Sequence, residues 1–504
     1  MAILILEPDV DGRARVSIEH SGARHAEVGR LLGSVGHDID MPLLENARPE
    51  EDPLPCREPV EETTAVSRHF SAQIHALYRQ LADYQARSAA ELAELKLAPI
   101  DTENGIVVKM TVGCQSFTSY PHCQHLIYHA RRLTLHDLNP ETLPTLPFVR
   151  KLRIAQGSGP RREFHFSRVR PVSLRVPLEC LVHLPSVAEI DCPWLWEWLP
   201  VPAAGRPMRH FTRVWEGPWR DARHEFGAAM EKQEELLGLR IPTSLTKARL
   251  WFWQPRLALE NNQALAMADL VAPAERDPLS VGVCILAAQL QELNLRAFIT
   301  EHLFPAPEAP QWSRMRRLTI EFHPLRPDGS WYFVGPRGED PYPEGFAISE
   351  DHYPPLQTTA EDEDVDEQWD EDPQGGEEVE FFPDVFRTEP VNERIGPLLS
   401  GFATAVKNMG ALEDAELFAS LAWHPSETRA NEYGDDMVPN NRGNGVYRWG
   451  VGYVASNSGG NGRERHALVQ WQVGDWRPSQ GVLDLFESLG QQEWLDFESC
   501  SRTN

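Results

Sequence analysis

Leu290-Gln291-Glu292-Leu293-Asn294-Leu295 and Met315-Arg316-Arg317-Leu318-Thr319-Ile320 are two versions of one phrase. A few polar residues lead into an apolar one, and a short strand-like pair closes it. The phrase recurs as Ala130-Arg131-Arg132-Leu133-Thr134-Leu135 and as Phe148-Val149-Arg150-Lys151-Leu152-Arg153-Ile154. Weaker copies run through Leu181 to Ile190 and Leu412 to Phe418. Candidate strand centres fall near residues 135, 154, 190, 252, 295, 320, 417 and 470. The closest steps, of about 19 and about 25 residues, match a leucine-rich repeat of roughly 20 to 29 residues. Longer steps hold insertions or degenerate repeats. Strands of this kind bury their apolar face only against neighbouring repeats, so the signal has to recur. The expected fold is therefore α/β: an irregular leucine-rich-repeat-like solenoid, or horseshoe, with an N-terminal helical extension and an acidic disordered insertion. An ordinary α/β or α+β domain is the alternative.

The chain divides accordingly. Residues 1–64 form an N-terminal extension, with short strands at Ile3–Leu6 and Val16–Ile18 around the Asp11-Gly12 turn and a Pro- and Glu-rich linker from 42 to 64. Residues 65–104 are helical, because Phe70, Ile74, Leu77, Leu81 and Tyr84 recur at threes and fours until Pro99. The repeat region spans 105–355 and continues over 393–495, with a tail at 496–504. Within it, Asp221–Leu237, Asn262–Leu270, Ile395–Met409 and Val482–Leu489 read as helices, and Tyr447–Tyr453 and Ala467–Val473 as paired strands. Between the two parts lies the acidic segment 356–392. Its window 361–380 holds 12 Asp or Glu and no Lys or Arg, a self-repelling block expected to be a disordered loop.

Composition bounds the function. The 504 residues carry a formal charge of -27, which disfavours broad affinity for nucleic acid or anionic membrane. Seven widely spaced cysteines give no secreted disulfide scaffold and fit a reducing compartment. The apolar run Ala2–Leu6 is cut off by Glu7, Pro8 and Asp9, too short for a signal peptide. No run is long enough to span a bilayer. An intracellular protein is expected, cytoplasmic or nuclear.

No catalytic motif competes with the repeats: the chain lacks a Gly-x-Ser-x-Gly elbow, a phosphate-binding loop and a His-Glu-x-x-His pair. Gly443-Asn444-Gly445 and Gly459-Gly460-Asn461-Gly462 read as turns, and Asp435 and Asp436 as a solvated loop pair. Cys114, Cys123, His125 and His129 are residue types that hold zinc, but no Cys-x2-Cys occurs and Pro121 separates the sulfurs, so buried cysteines with surface histidines are expected. No cofactor is expected. The tryptophans and arginines matter more, since both dominate protein interfaces. Trp194, Trp196 and Trp198 alternate and share one side of a strand, with Trp251 and Trp253 further on. Core filling is the other use of such residues. Arg131, Arg132, Arg150, Lys151, Arg316 and Arg317 precede the repeat strands and give a basic rim suited to an acidic peptide or to the chain's own 361–380 segment.

The stretches Leu133–Ile154, Phe402–Leu417 and Trp449–Tyr453, followed by Trp471, resemble the leucine-rich-repeat-like regions of uncharacterised fungal F-box proteins. That resemblance implies capture of a protein substrate by the repeats and docking of an N-terminal F-box on a Skp1-type adaptor of a ubiquitin ligase. Residues 1–64 lack the Leu-Pro opening and helix string of an F-box. Non-enzymatic protein recognition is thus the leading expectation. A scaffold without a ubiquitin link comes second, and an enzyme of unknown class third.

Overall fold

A computed structural model describes residues 2–8, 14–20, 31–41, 60–95, 97–101, 103–113, 131–135, 143–156, 170–193, 195, 197, 215–253, 262–371, 383–433, 446–458 and 464–496. Thirteen strands make one sheet. In chain order they are β1 Ala2–Pro8, β2 Ala14–His20, β3 Leu32–Ile39, β4 Ile106–Val112, β5 Val149–Gln156, β6 Glu189–Cys192, β7 Lys247–Trp251, β8 Glu292–Ala297, β9 Arg317–Phe322, β10 Asp414–Ala422, β11 Val446–Val454, β12 Leu468–Gln472 and β13 Gln491–Trp494. From β3 to β10 each strand pairs in parallel with the next strand in sequence. The ends break this rule. β1 enters parallel beside β3 and pairs antiparallel with β2, while β10, β11 and β12 are antiparallel neighbours before β13 rejoins in parallel.

The repeated phrase explains the parallel core. Its apolar positions alternate, so one face of each strand faces inward. In register these are Leu152, Ile190, Ala248, Leu293, Leu318 and Ala415 in one row, all nearly inaccessible to solvent. Helices return the chain between strands and join the same continuous core. Val60–Ala86 presents the expected stripe, with Phe70, Ile74, Leu77 and Leu81 buried. Tyr78 on that helix donates to the Cys180 carbonyl at 2.9 Å, tying it to the short helix Val176–Leu181. Pro278–Ala287 starts where Asp277 accepts from the Ser280 amide at 3.0 Å and Pro278 occupies the first turn, an N-cap followed by a residue that needs no donor.

Three expectations fail. The sheet is mixed α/β and mostly parallel, but it is open and neither strongly curled nor closed, so the chain is not a horseshoe solenoid. Steady curvature needs repeats of near-equal bulk. Here the connection from β8 to β9 is only residues 298–316, whereas that from β9 to β10 is 323–413, and the antiparallel strands β10–β12 end the series altogether. Nor is 356–392 a disordered insertion throughout. Ala360–Glu371 is a helix. Thr359 and Asp362 cap it reciprocally, at 2.9 and 3.2 Å, and Val365 is buried. Carboxylates in its first turn sit at the positive end of the helix dipole, which offsets their mutual repulsion. Asn262–Leu270, expected as a helix, is instead one turn at residues 263–264 followed by irregular chain in which Ala268 bridges Phe346. Among the described residues no helix is long and apolar enough to cross a membrane.

Candidate polar face of the sheet

The strand positions opposite the core form a second set of rows, and these are charged. One row runs Lys151, Glu189, Lys247, Glu292, Arg317 and Asp414, alternating in sign strand by strand. Its members are bridged: Lys151 to Glu189 at 2.5 Å, Lys247 to Glu292 at 2.8 Å, Arg317 to Asp414 at 3.7 Å. Opposite charges directly across paired strands stabilise the pairing modestly and set its register. The next row is Lys109, Arg153, Asp191, Arg249, Asn294, Thr319 and Glu416. Asp191 is buried and accepts from Arg153 at 2.7 Å and from Arg249 at 2.6 Å, so one carboxylate holds two guanidinium groups upright.

The third row, at the carboxyl ends of the strands, is the most constructed. Trp251 pairs in register with Arg296, and Arg296 with Glu321. The Arg296 guanidinium carbon lies 4.0 Å from the Trp251 ring centroid and that of Arg249 lies 4.9 Å from it. The indole Nε1 donates to Asn294 Oδ1 at 2.7 Å. Arg296 donates to Glu321 at 2.7 Å, and Ser420 donates to the other Glu321 oxygen at 2.8 Å. Burial lowers the Arg296 pKa, and Glu321 opposes the shift. Beyond Glu321 lies Phe418, with Arg448 stacked 3.7 Å above it and paired to Glu416 at 2.9 Å. Gly450 faces Phe418 there because a Cβ would come within 2.6 Å of it.

This face gathers three of the expected residues, Trp251, Lys151 and Arg317. Arg316 sits just before β9, exposed, and donates to Glu413 at 2.9 Å. Trp253 is 2% exposed and packs on Phe298 and His323. It shares the parity of Trp251, but β7 ends at Trp251 and the chain turns inward. Arg132 is spent on carbonyls, donating to Glu197 at 2.6 Å, and Arg131 stands beside it, partly buried. Trp194, Trp196, Trp198, Cys114, Cys123, His125 and His129 lie outside the described residues. The residues missed from sequence are Lys109, Arg153, Asp191, Lys247, Arg249, Asn294, Arg296 and Glu321. Most are the polar letters interleaved with the leucines of each phrase, which is the signal that marks them.

Beneath the carboxyl ends lies a second charged group, wholly buried. Arg223 donates to Glu197, to Asp277 at 2.7 Å and to the Phe298 carbonyl at 3.0 Å. Burial raises the Glu197 pKa, and Arg223 opposes it. With all three side chains at 0% exposure, this group joins helices and strand ends and offers no surface to a ligand. Among the described residues no cluster of three or more His, Cys, Asp or Glu is placed to hold a metal ion. No family model matches the chain, and no curated protein and no solved structure matches it either.

Proposed function

We propose that this chain is a non-enzymatic recognition module that docks a protein partner on the polar face of its sheet. The arrangement around Trp251 carries the reading: a half-buried indole under two guanidinium groups, framed by charge pairs on rigid strands. Trp and Arg are the residues that most often concentrate binding energy. Paired charges around them favour correctly oriented partners and repel others. The seven widely spaced cysteines support placing this module inside the cell, in cytoplasm or nucleus.

A photo-reactive amino acid at Thr319, on the face, should crosslink partner proteins in cells. The same group at Gln233, on the helical side, should not. Equal crosslinking from both sides would remove the proposal. The narrower version, substrate recognition beside a Skp1-type adaptor, requires that adaptor to copurify in proportion. A stable partner complex free of it leaves a plain interaction scaffold.

A further inference from the structure

The polar face is electrically divided. On β4 to β7 it presents five cations, Lys109, Lys151, Arg153, Lys247 and Arg249, against the carboxylates Glu189 and Asp191. On β8 to β11 the carboxylates Glu292, Glu321, Asp414 and Glu416 outnumber the cations Arg296, Arg317 and Arg448. A cationic half-face thus stands on a chain whose formal charge is -27. Its cations remain accessible: the Lys151, Arg153, Lys247 and Arg249 side chains are 30%, 37%, 46% and 34% exposed.

From this we infer that the half-face β4–β7 binds an acidic segment of the partner in polyproline-II conformation, with carboxylates at every third position. The spacing argues for it. Lys151 and Lys247 lie two strands apart in one row, as do Arg153 and Arg249 in the next. Strands are spaced about 4.8 Å apart, so like-charged groups recur at roughly 9.6 Å, and one three-residue turn of polyproline II rises about 9.3 Å and brings the side chain back to the same side. Glu189 falls between the cations and faces the uncharged residues of such a segment, while Asp191 is buried beneath Arg153 and Arg249. A nucleic acid backbone is a poorer match, because its closely spaced phosphates would meet Glu189. Trp251, with the Arg296 guanidinium over its ring, closes the half-face on its β8 side.

This inference rests on the docking reading above, and the test separates the two. A fluorescein-labelled peptide with Glu at every third position is titrated into the full chain and followed by anisotropy. Its Gln twin and a single-stranded DNA oligomer serve as competitors. The Glu peptide should bind, weaken with rising ionic strength, and outcompete both. Lys109→Gln with Lys247→Gln, both exposed, should weaken it by about tenfold or more, with only a small drop in melting temperature from the lost Lys247–Glu292 pair. Arg153→Gln with Arg249→Gln should do the same, provided the circular dichroism spectrum is retained. Equal binding of the Gln twin, tighter binding of the DNA, or undiminished binding by the folded lysine variant would overturn it. Face-specific crosslinks without Glu-peptide binding would sink the acidic-segment assignment alone. Loss of face-specific crosslinks would remove the docking reading and this one with it.

Discussion

Arg296 lies over the Trp251 indole at 4.0 Å, held there because its Nε donates to the buried Glu321 at 2.7 Å. The ring is therefore fixed from one side by a cation that cannot swing away, and from its edge by Asn294. Trp251→Ala should remove two cation–π contacts, each about 0.5 to 2 kcal/mol, and lower stability by about 1 to 3 kcal/mol in urea denaturation. Partner crosslinking at Thr319 should fall much more than stability does. Trp251→Phe keeps a ring under the guanidinium groups and should retain most of the crosslinking. Full crosslinking by the Ala variant would show that the indole is not part of the docking surface.

Arg223 offers a sharper stability test, because Glu197 and Asp277 converge on it out of contact with water. Arg223→Met leaves two carboxyl groups buried without their cation, which should cost about 3 to 5 kcal/mol. Adding Glu197→Gln to that variant removes one stranded charge and should recover part of the loss. Equal stability of the single and double variants would mean that Glu197 already carries a proton when Arg223 is absent.

How far the sequence reached is clearest in individual residues. Leu152, Leu293, Leu318 and Leu417 were legible as inward strand positions because burial on one face forces alternation. Phe70, Ile74 and Leu77 were legible as a helical stripe for the matching reason. β3 and β4 were not: Leu32–Ile39 contains Gly33, Gly36 and Asp38, and Ile106–Val112 has no leucine, so neither repeats the phrase. A single turn and a bridged irregular stretch replace a helix at Asn262–Leu270, where the Gln263 side chain accepts from the Phe386 and Arg387 amides, at 2.7 and 2.6 Å, and Ala268 bridges Phe346. The polar face needs register as well as parity. That Arg296 should stand beside Trp251 follows only once β7 and β8 are paired, and local pattern does not specify that pairing. The absence of strong curl depends on the bulk of whole connections, which a leucine spacing does not carry.

His183 predicts a pH dependence. It is 3% exposed, and burial lowers its pKa, with His75 adding to the shift. An unfolded histidine titrates near about 6.5. Below that value the unfolded chain takes up a proton that folded His183 resists, so stability falls as pH falls. The contribution is fully present above about pH 6.5 and is lost as pH drops through the lowered folded value. Glu179 and Glu225 have raised values from burial and act oppositely at lower pH, so the comparison must be between variants. His183→Gln should show a shallower loss of urea midpoint between about pH 7 and about pH 5 than the parent chain. Parallel curves would show that the imidazole does not titrate with unfolding.

Cysteine labelling tests how tightly the N-terminal helix closes on the sheet. Burial pushes the Cys180 thiol up to about 12 and the half-buried Cys284 thiol up to about 11, and raises Cys192 as well. The thiolate is the reactive form. Near pH 8 burial leaves little thiolate at any of the three, against about one in four for a free thiol. Iodoacetamide followed by site-resolved mass spectrometry should therefore mark Cys284 first, with Cys180 and Cys192 far behind. In urea all three should react alike. Cys180 is shut in by the helix that carries Tyr78, whose hydroxyl donates to the Cys180 carbonyl. Tyr78→Phe keeps the ring and removes that bond, so it should speed Cys180 labelling while leaving Cys284 unchanged. A Cys180 rate insensitive to Tyr78→Phe would mean that the helix is held by its apolar stripe alone.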